Sequence, residues 1–350
     1  MQRQFIQKFL SKNKTIFIIP LIILLLLFIL GVSIGSTSIP FSSIILSFSD
    51  LFFKTNYVPV DIQTIVVNIR VPRVLLAALV GACLSLAGVA FQGILKNPLA
   101  DPFTLGVSSG ASVGAVFVLF FQISLPIVTY FTLPVVSILF GFFTLLILIL
   151  FVRKLDRSLN VETLILGGII ISSFCSALLS LFISFSDNEL RAVIGWLMGN
   201  IGSRGIQYSI TLLPFLILSF IILFSQNRQL DAMTFGSANA KHIGINVKKT
   251  TYLILFTGSI LSGAAVAVSG TIGFVGLVVP HFTRTLIGPL HKKLLPLSMI
   301  NGAIFLMAAD IISRVILAPR ELPIGVITSL IGAPIFAFIL LKMKRNRGKV

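Results

Sequence analysis

Two short stretches, GVSIG (Gly31 to Gly35) and GVSSG (Gly106 to Gly110), match G-x-S-x-G, the pattern that presents a nucleophilic serine on a strand-to-helix turn. That chemistry needs a strand before the serine, with a histidine and an acid in reach of its hydroxyl. Both matches lie instead in apolar, glycine-rich sequence, so an intramembrane serine hydrolase built on Ser108 and His281 stands only as an alternative. His242 and His291 fall on connecting segments and make no metal-ligand spacing with His281, so no metal site is expected. Cys83 and Cys175 lie inside apolar runs and read as small buried hydrophobes. There is no G-x-x-x-x-G-K-[ST], so no P-loop and no ATP site is expected on this chain, and no other cofactor is implied.

Charge inside apolar sequence is the other place where chemistry can reside. Asp310 and Arg314 stand at i, i+4, which puts them on one helix face as a pair. An ion-driven carrier needs an unpaired carboxylate near the membrane midplane, and the sequence offers none, so the energy for any transport is expected from elsewhere. Gly106, Gly110 and Gly114 repeat at i, i+4, i+8, a spacing that lets helix backbones approach closely; the same face would also suit a helix lining a path. The segment 230–249, LDAMTFGSANAKHIGINVKK, is long enough for two short helices broken at Gly236 and Gly244. It reads either as a solvated loop or as a docking element for a cytosolic subunit.

The elements that carry these residues follow from composition. Of the 350 residues 56% are hydrophobic and 11% charged, too apolar for a soluble domain to cover itself with polar groups. Runs of about 20 apolar residues, enough to cross the hydrocarbon layer, recur along the chain. The reading is an all-α polytopic membrane protein with about ten spans, near 16–35, 72–95, 104–122, 125–152, 161–185, 207–225, 250–269, 272–287, 294–317 and 323–341. The first is taken as a retained helix rather than a signal peptide, because its apolar core is long and no small-residue cleavage site follows. With both termini inside, 20 of the 27 basic residues, from Arg3, Lys8, Lys12 and Lys14 to Lys349, fall on inner segments. The outer side keeps Lys54, Arg70, Arg73, Arg191, Arg204, Arg314 and Arg320. The net charge of +17 is thereby a matter of topology and not of nucleic-acid binding.

Several blocks in order then resemble one family. RVPR (70–73), LSLAGVAFQGILKNPLADPFTLGVSSGA (84–111), GTIGFVGLVVPHFTR (270–284), the AAD-x-x-x-R of 308–314 and ELPIGVITSLIGAP (321–334) are similar to the signature blocks of FecCD-type permeases. These are the membrane subunits of ABC importers for iron–siderophores, haem and cobalamin. The resemblance implies a single ten-helix permease domain in a bacterial cytoplasmic membrane, paired with a copy or paralogue of itself. It implies two ATPase subunits on the inner side, which use the ATP, and a substrate-binding protein on the outer side. It assigns Asn97 and Leu99 to an inner gate together with the turn at 153–161. Gly236, Ala240 and Gly244 would belong to the coupling helices that meet the ATPase, and Arg70, Arg73 and Arg314 would receive acidic groups of the binding protein.

Overall fold

The computed structural model describes residues 15–35, 39–53, 57–125, 131–155, 161–186, 189–202 and 204–347, the side chains of Phe52, Leu340 and 342–347 excepted. Every regular element among them is a helix. In chain order these are α1 (Thr15–Ser33), α2 (Phe41–Phe53), α3 (Val60–Ile94), α4 (Val107–Phe120), α5 (Thr132–Leu155), α6 (Val161–Ser184) and α7 (Leu190–Leu197). They continue as α8 (Ile206–Ser225), α9 (Asn227–Thr234), α10 (Ser237–His242), α11 (Val247–Ser269), α12 (Val275–Ile287), α13 (His291–Val315) and α14 (Ile324–Arg347).

Seven of them, α1, α3, α5, α6, α8, α11 and α13, are long and apolar enough to cross a membrane. The shorter α4 and α12 and the apolar part of α14 lie on the remaining expected stretches. The basic residues Arg3, Lys8, Lys12, Lys14, Lys54, Arg157 and Lys349, and residues 156–160 of the turn at 153–161, lie outside the described residues.

Three features depart from the sequence expectation. Between the first two expected spans, at 36–71, the chain carries helix: α2 occupies part of the stretch, and α3 begins at Val60, well before Pro72. Pro72 reads as a helix start because proline has no N–H to give to the preceding turn. Here the residues just before it, Ile65–Arg70, form a π-helical segment, and the wider turn carries the helix through. The third departure is α7, a short helix inside the expected outer loop 186–206.

Burial separates core helices from those facing lipid. In the most apolar stretch of α3 83% of the residues are buried, against 17% in α1 and 22% in α6. Lipid offers no hydrophobic drive between helices, so close packing must hold the centre together, and small residues permit it. A Cβ placed on Gly81 would run into the Gly302 carbonyl of α13, and one on Gly88 into the Gly276 carbonyl of α12. The three helices therefore meet backbone to backbone along α3. Pro280 leaves the Gly276 carbonyl without its helical donor. The Gln92 amide of α3 fills that place, 3.3 Å from Gly276 O and 3.1 Å from Leu277 O.

Candidate functional site

The charged residues gather at one end of this core. Arg73 Nε lies 2.8 Å from Asp310 Oδ1, and Arg73 Nη1 lies 2.7 Å from Glu321 Oε2. Arg314 Nη2 stands 2.9 Å from Asp310 Oδ2, the i, i+4 pair that the spacing implied. The same Arg314 donates through Nη1 to the carbonyls of Gly31 at 2.9 Å and Ile34 at 2.8 Å. Arg70 donates through Nη1 to Val32 O at 3.0 Å and Ser33 O at 2.7 Å. Those carbonyls belong to the last turn of α1 and its exit, where no intrahelical N–H remains to satisfy them and the helix dipole is negative. Two arginines from other helices thus cap α1, while Asp310 balances Arg73 and Arg314.

This placement corrects the picture of three arginines offered to a docking partner. Arg70, Arg73 and Arg314 are 4%, 8% and 3% exposed, and each points into the protein. Helix α3 starts a full three turns earlier than the sequence suggested, so Arg70 and Arg73 lie within a helix rather than at its mouth. Arg191 and Arg320, on the outer segments of the sequence reading, are exposed.

The opposite end is built differently. Helix α3 ends at Ile94, and Lys96 adopts a left-handed φ of 48°. Asn97 then turns the chain, its Oδ1 accepting from Leu99 N at 2.9 Å, and leaves Leu99 38% exposed. Asp101 ties the turn to the next helix by accepting from Phe103 N at 2.8 Å and Thr104 N at 3.1 Å. Burial pushes its carboxyl up to about 6, against the pull of those two backbone donors.

Beside this turn the segment 226–249 forms α9 and α10, hinged at Gly236 (φ 114°) and closed at Gly244 (φ 86°), with Ala240 fully buried between them. Asp231 on α9 accepts from the His291 backbone N–H at 2.9 Å and lies 2.6 Å from its ring Nδ1. Burial would raise the Asp231 carboxyl, but the His291 contacts outweigh it and hold the group below its ordinary 3.8. No spacing in the sequence announces this link, since the partners are 60 residues apart.

The glycine ladder packs α4. A Cβ on Gly110 would strike Thr144 of α5, and one on Gly114 would come within 2.7 Å of the Phe140 Cβ. Gly106 holds a left-handed φ of 78° just before α4. The Ser108 hydroxyl and the His281 Nδ1 are both buried without a hydrogen-bond partner, so the two do not form a catalytic pair. Ser33 donates to Ile29 O within its own helix. Neither G-x-S-x-G stretch follows a strand, and the hydrolase alternative falls. Among the described residues no three His, Cys, Asp or Glu side chains cluster as a metal site, and Cys83 and Cys175 are buried free thiols.

Helices long and apolar enough to cross a membrane, packed through glycine contacts, define a multi-pass membrane protein. The chain belongs to the FecCD transport family, whose model matches residues 23–342, and is a permease of the ABC transporter type. It is 51% identical over 320 residues to the uncharacterized ABC transporter permease protein YvrB of Bacillus subtilis, covering 91% of each chain. The hemin transport system permease protein HmuU of Yersinia pestis is 39% identical over 285 residues, 80% of this chain and 84% of that one. A solved chain described as a metal-chelate type ABC transporter in an inward-facing conformation superposes with a TM-score of 0.82. Its identity is 33%, over 94% of this chain and 99% of that one.

Proposed function

We propose that this chain is the membrane subunit of a binding-protein-dependent importer for an iron–siderophore or haem, driven by separate ATPase subunits. Both termini face the cytoplasm, a second permease subunit completes the path, and the chain itself turns over no ATP. The observation that carries the energetic part is the state of Asp310. It is a carboxylate buried within a described span, and two arginines hold it. A carboxylate so held does not exchange protons or sodium in a cycle, which favours an external motor over an ion gradient. The segment of α9 and α10 is the inner surface such a motor would grip, and the turn at Asn97 and Leu99 beside it serves as the inner gate. On the outer side Arg70, Arg73 and Arg314 hold the shape of the docking face, and the exposed Arg191 and Arg320 offer charge to the binding protein.

The test is uptake into vesicles of the purified transporter with its binding protein, using radiolabelled ferric hydroxamate, haem and cobalamin as cargo. Uptake of an iron chelate or haem that requires internal ATP and ignores imposed proton and sodium gradients is the expected result. Uptake driven by a gradient without ATP overturns the motor reading; cobalamin as the sole cargo overturns the substrate. Reversal of Arg191 and Arg320 to glutamate should slow binding-protein association most strongly at low salt.

A further inference from the structure

Helix α13 starts without a cap of its own. Its N-cap residue is Leu290, whose side chain offers nothing to the free N–H groups of the first turn. The acceptor comes from α9. Asp231 Oδ1 takes the His291 backbone N–H at 2.9 Å and stands 2.6 Å from the ring Nδ1, so one oxygen holds both the first residue of α13 and its side chain. A carboxylate suits a helix N-terminus, and hydrogen bonds to it are of the stronger kind.

The far edge of the same ring meets α3. A Cβ placed on Gly93 would come within 2.9 Å of His291 Nε2 and 3.0 Å of Leu230 Cδ2, so α3 carries a glycine where the ring and α9 press against it. His291 is buried and its Nε2 has no hydrogen-bond partner, so packing alone fixes that edge. Gly93 lies in the last turn of α3, and only Ile94, Leu95 and Lys96 separate it from Asn97. Ile94 and Leu95 are buried as well. A shift of the ring therefore has a short, packed route to the turn that carries Leu99.

The other end of the route is open to a partner. Phe235 and Ile243, at the two ends of α10, are 77% and 69% exposed, while Leu230 and Met233 of α9 are buried in the core. Force applied at α10 arrives at α9, and α9 meets the end of α3 in two ways. Leu230 packs beside Gly93 directly, and Asp231 reaches it through His291. An apolar contact slides under load. A ring that is built on one helix, hydrogen-bonded to a second and seated in a glycine notch of a third does not. On the reading of α9 and α10 as the motor surface and of the Asn97–Leu99 turn as the gate, we propose that His291 is the positioning residue that carries movement of α9 to the end of α3 and so to the gate.

The experiment uses the full transporter with its ATPase subunits and binding protein in lipid nanodiscs, where both faces are open to a thiol reagent. Cys83 and Cys175 are buried, so Leu99→Cys supplies the reporter at the gate. In an otherwise wild-type chain, trapped ATP should change its labelling rate. With His291→Ala, ATP should still be hydrolysed, while the ATP-dependent change in labelling, and the cargo carried per ATP in vesicles, fall about tenfold. His291→Asn still donates to Asp231 but is too short to fill the notch at Gly93, so it should keep the unfolding midpoint and lose the coupling. Asp231→Asn keeps an oxygen acceptor for both N–H groups and should stay within about twofold of wild type. A purely structural cap predicts otherwise: the midpoint falls with His291→Ala, hydrolysis and uptake decline together, and cargo per ATP is unchanged. That result overturns the proposal, as does full coupling with His291→Asn. If the wild type shows no ATP-dependent change at Leu99→Cys, the gate reading itself fails, and transmission to it fails with it.

Discussion

The two ends of α13 solve opposite problems. At its C-terminal end, the outer one in the proposed orientation, Asp310 and Arg314 sit in a closed cluster with Arg73, Arg70 and Glu321, and that cluster also caps the end of α1. At its N-terminal end, the inner one in that orientation, His291 makes one link, to Asp231 on α9, beside an exposed turn and two short glycine-bounded helices. The outer end spends charge on locking three long helices together. The inner end is held by that one charged link and by Leu230, Met233 and Ala240, which are buried in the core.

The largest effect should come from opening the outer cluster. Asp310→Ala strips Arg314 of its carboxylate in a buried site and leaves Arg73 only the half-exposed Glu321, a loss of about 3–5 kcal/mol when one partner of a buried pair is removed. Glu321→Ala removes a partner that is 40% exposed, and should cost about 0–1 kcal/mol. Thermal unfolding in detergent and membrane yield measure both. Equal shifts for the two variants would show that the outer end is no tighter than an ordinary surface pair.

The second prediction divides the inner end by the sign of its pH dependence. Asp231 has a carboxyl held below 3.8, so its contribution is present above that value and is lost as pH falls through the folded pKa. Asp101 has a carboxyl raised from 3.8 to about 6, so the folded state binds the proton more tightly. Its turn is most stable when protonated, and stability falls as pH rises from about 4 to about 6, by roughly 3 kcal/mol at most. Asp101→Asn should flatten the stability curve between those values. Asp231→Ala should cost about 1–3 kcal/mol near neutrality, because it strips a buried imidazole of its partner, and should cost less in strong acid. Unfolding midpoints taken across pH 3–8 decide it, and identical profiles for both variants would remove the distinction.

Much of this was legible before any coordinates. Apolar run length marks the spans closely: Val161–Ser184 falls on the stretch expected at 161–185, and Ile206–Ser225 on 207–225. The Asp310–Arg314 pair was legible because it is local, and the two short helices around Gly236 because glycine punctuates them. Helix α2 was not, since FSSIILSFSDLFF is too short to span and carries serines and an aspartate. Arg73 was misplaced for two reasons. Pro72 looks like a helix start, and the partners Asp310 and Glu321 lie 237 and 248 residues away, where no spacing rule reaches.

The smallest effect concerns the hinge itself, and it contrasts two kinds of glycine. Gly81 has no room: an added Cβ meets the Gly302 backbone, which has no flexible end to yield. Gly236 has room, with the Asn239 Nδ2 as its nearest neighbour at 3.9 Å, but its φ of 114° is one that side chains avoid. Gly236→Ala therefore meets no collision and carries only backbone strain, roughly 1–2 kcal/mol. Leu230, Met233 and Ala240 anchor α9 and α10 in the core on either side of Gly236, while Gly236 itself has open space beside it, so that strain can be relieved locally without disturbing α3 or α13. Hydrogen exchange should speed up across residues 235–245 while the unfolding midpoint moves by little. Gly81→Ala should do the reverse, lowering the midpoint with no selective change at the hinge. If Gly236→Ala instead lowers the midpoint as much as Gly81→Ala, the inner segment is bound into the core as firmly as the outer cluster, and the division between the two ends fails.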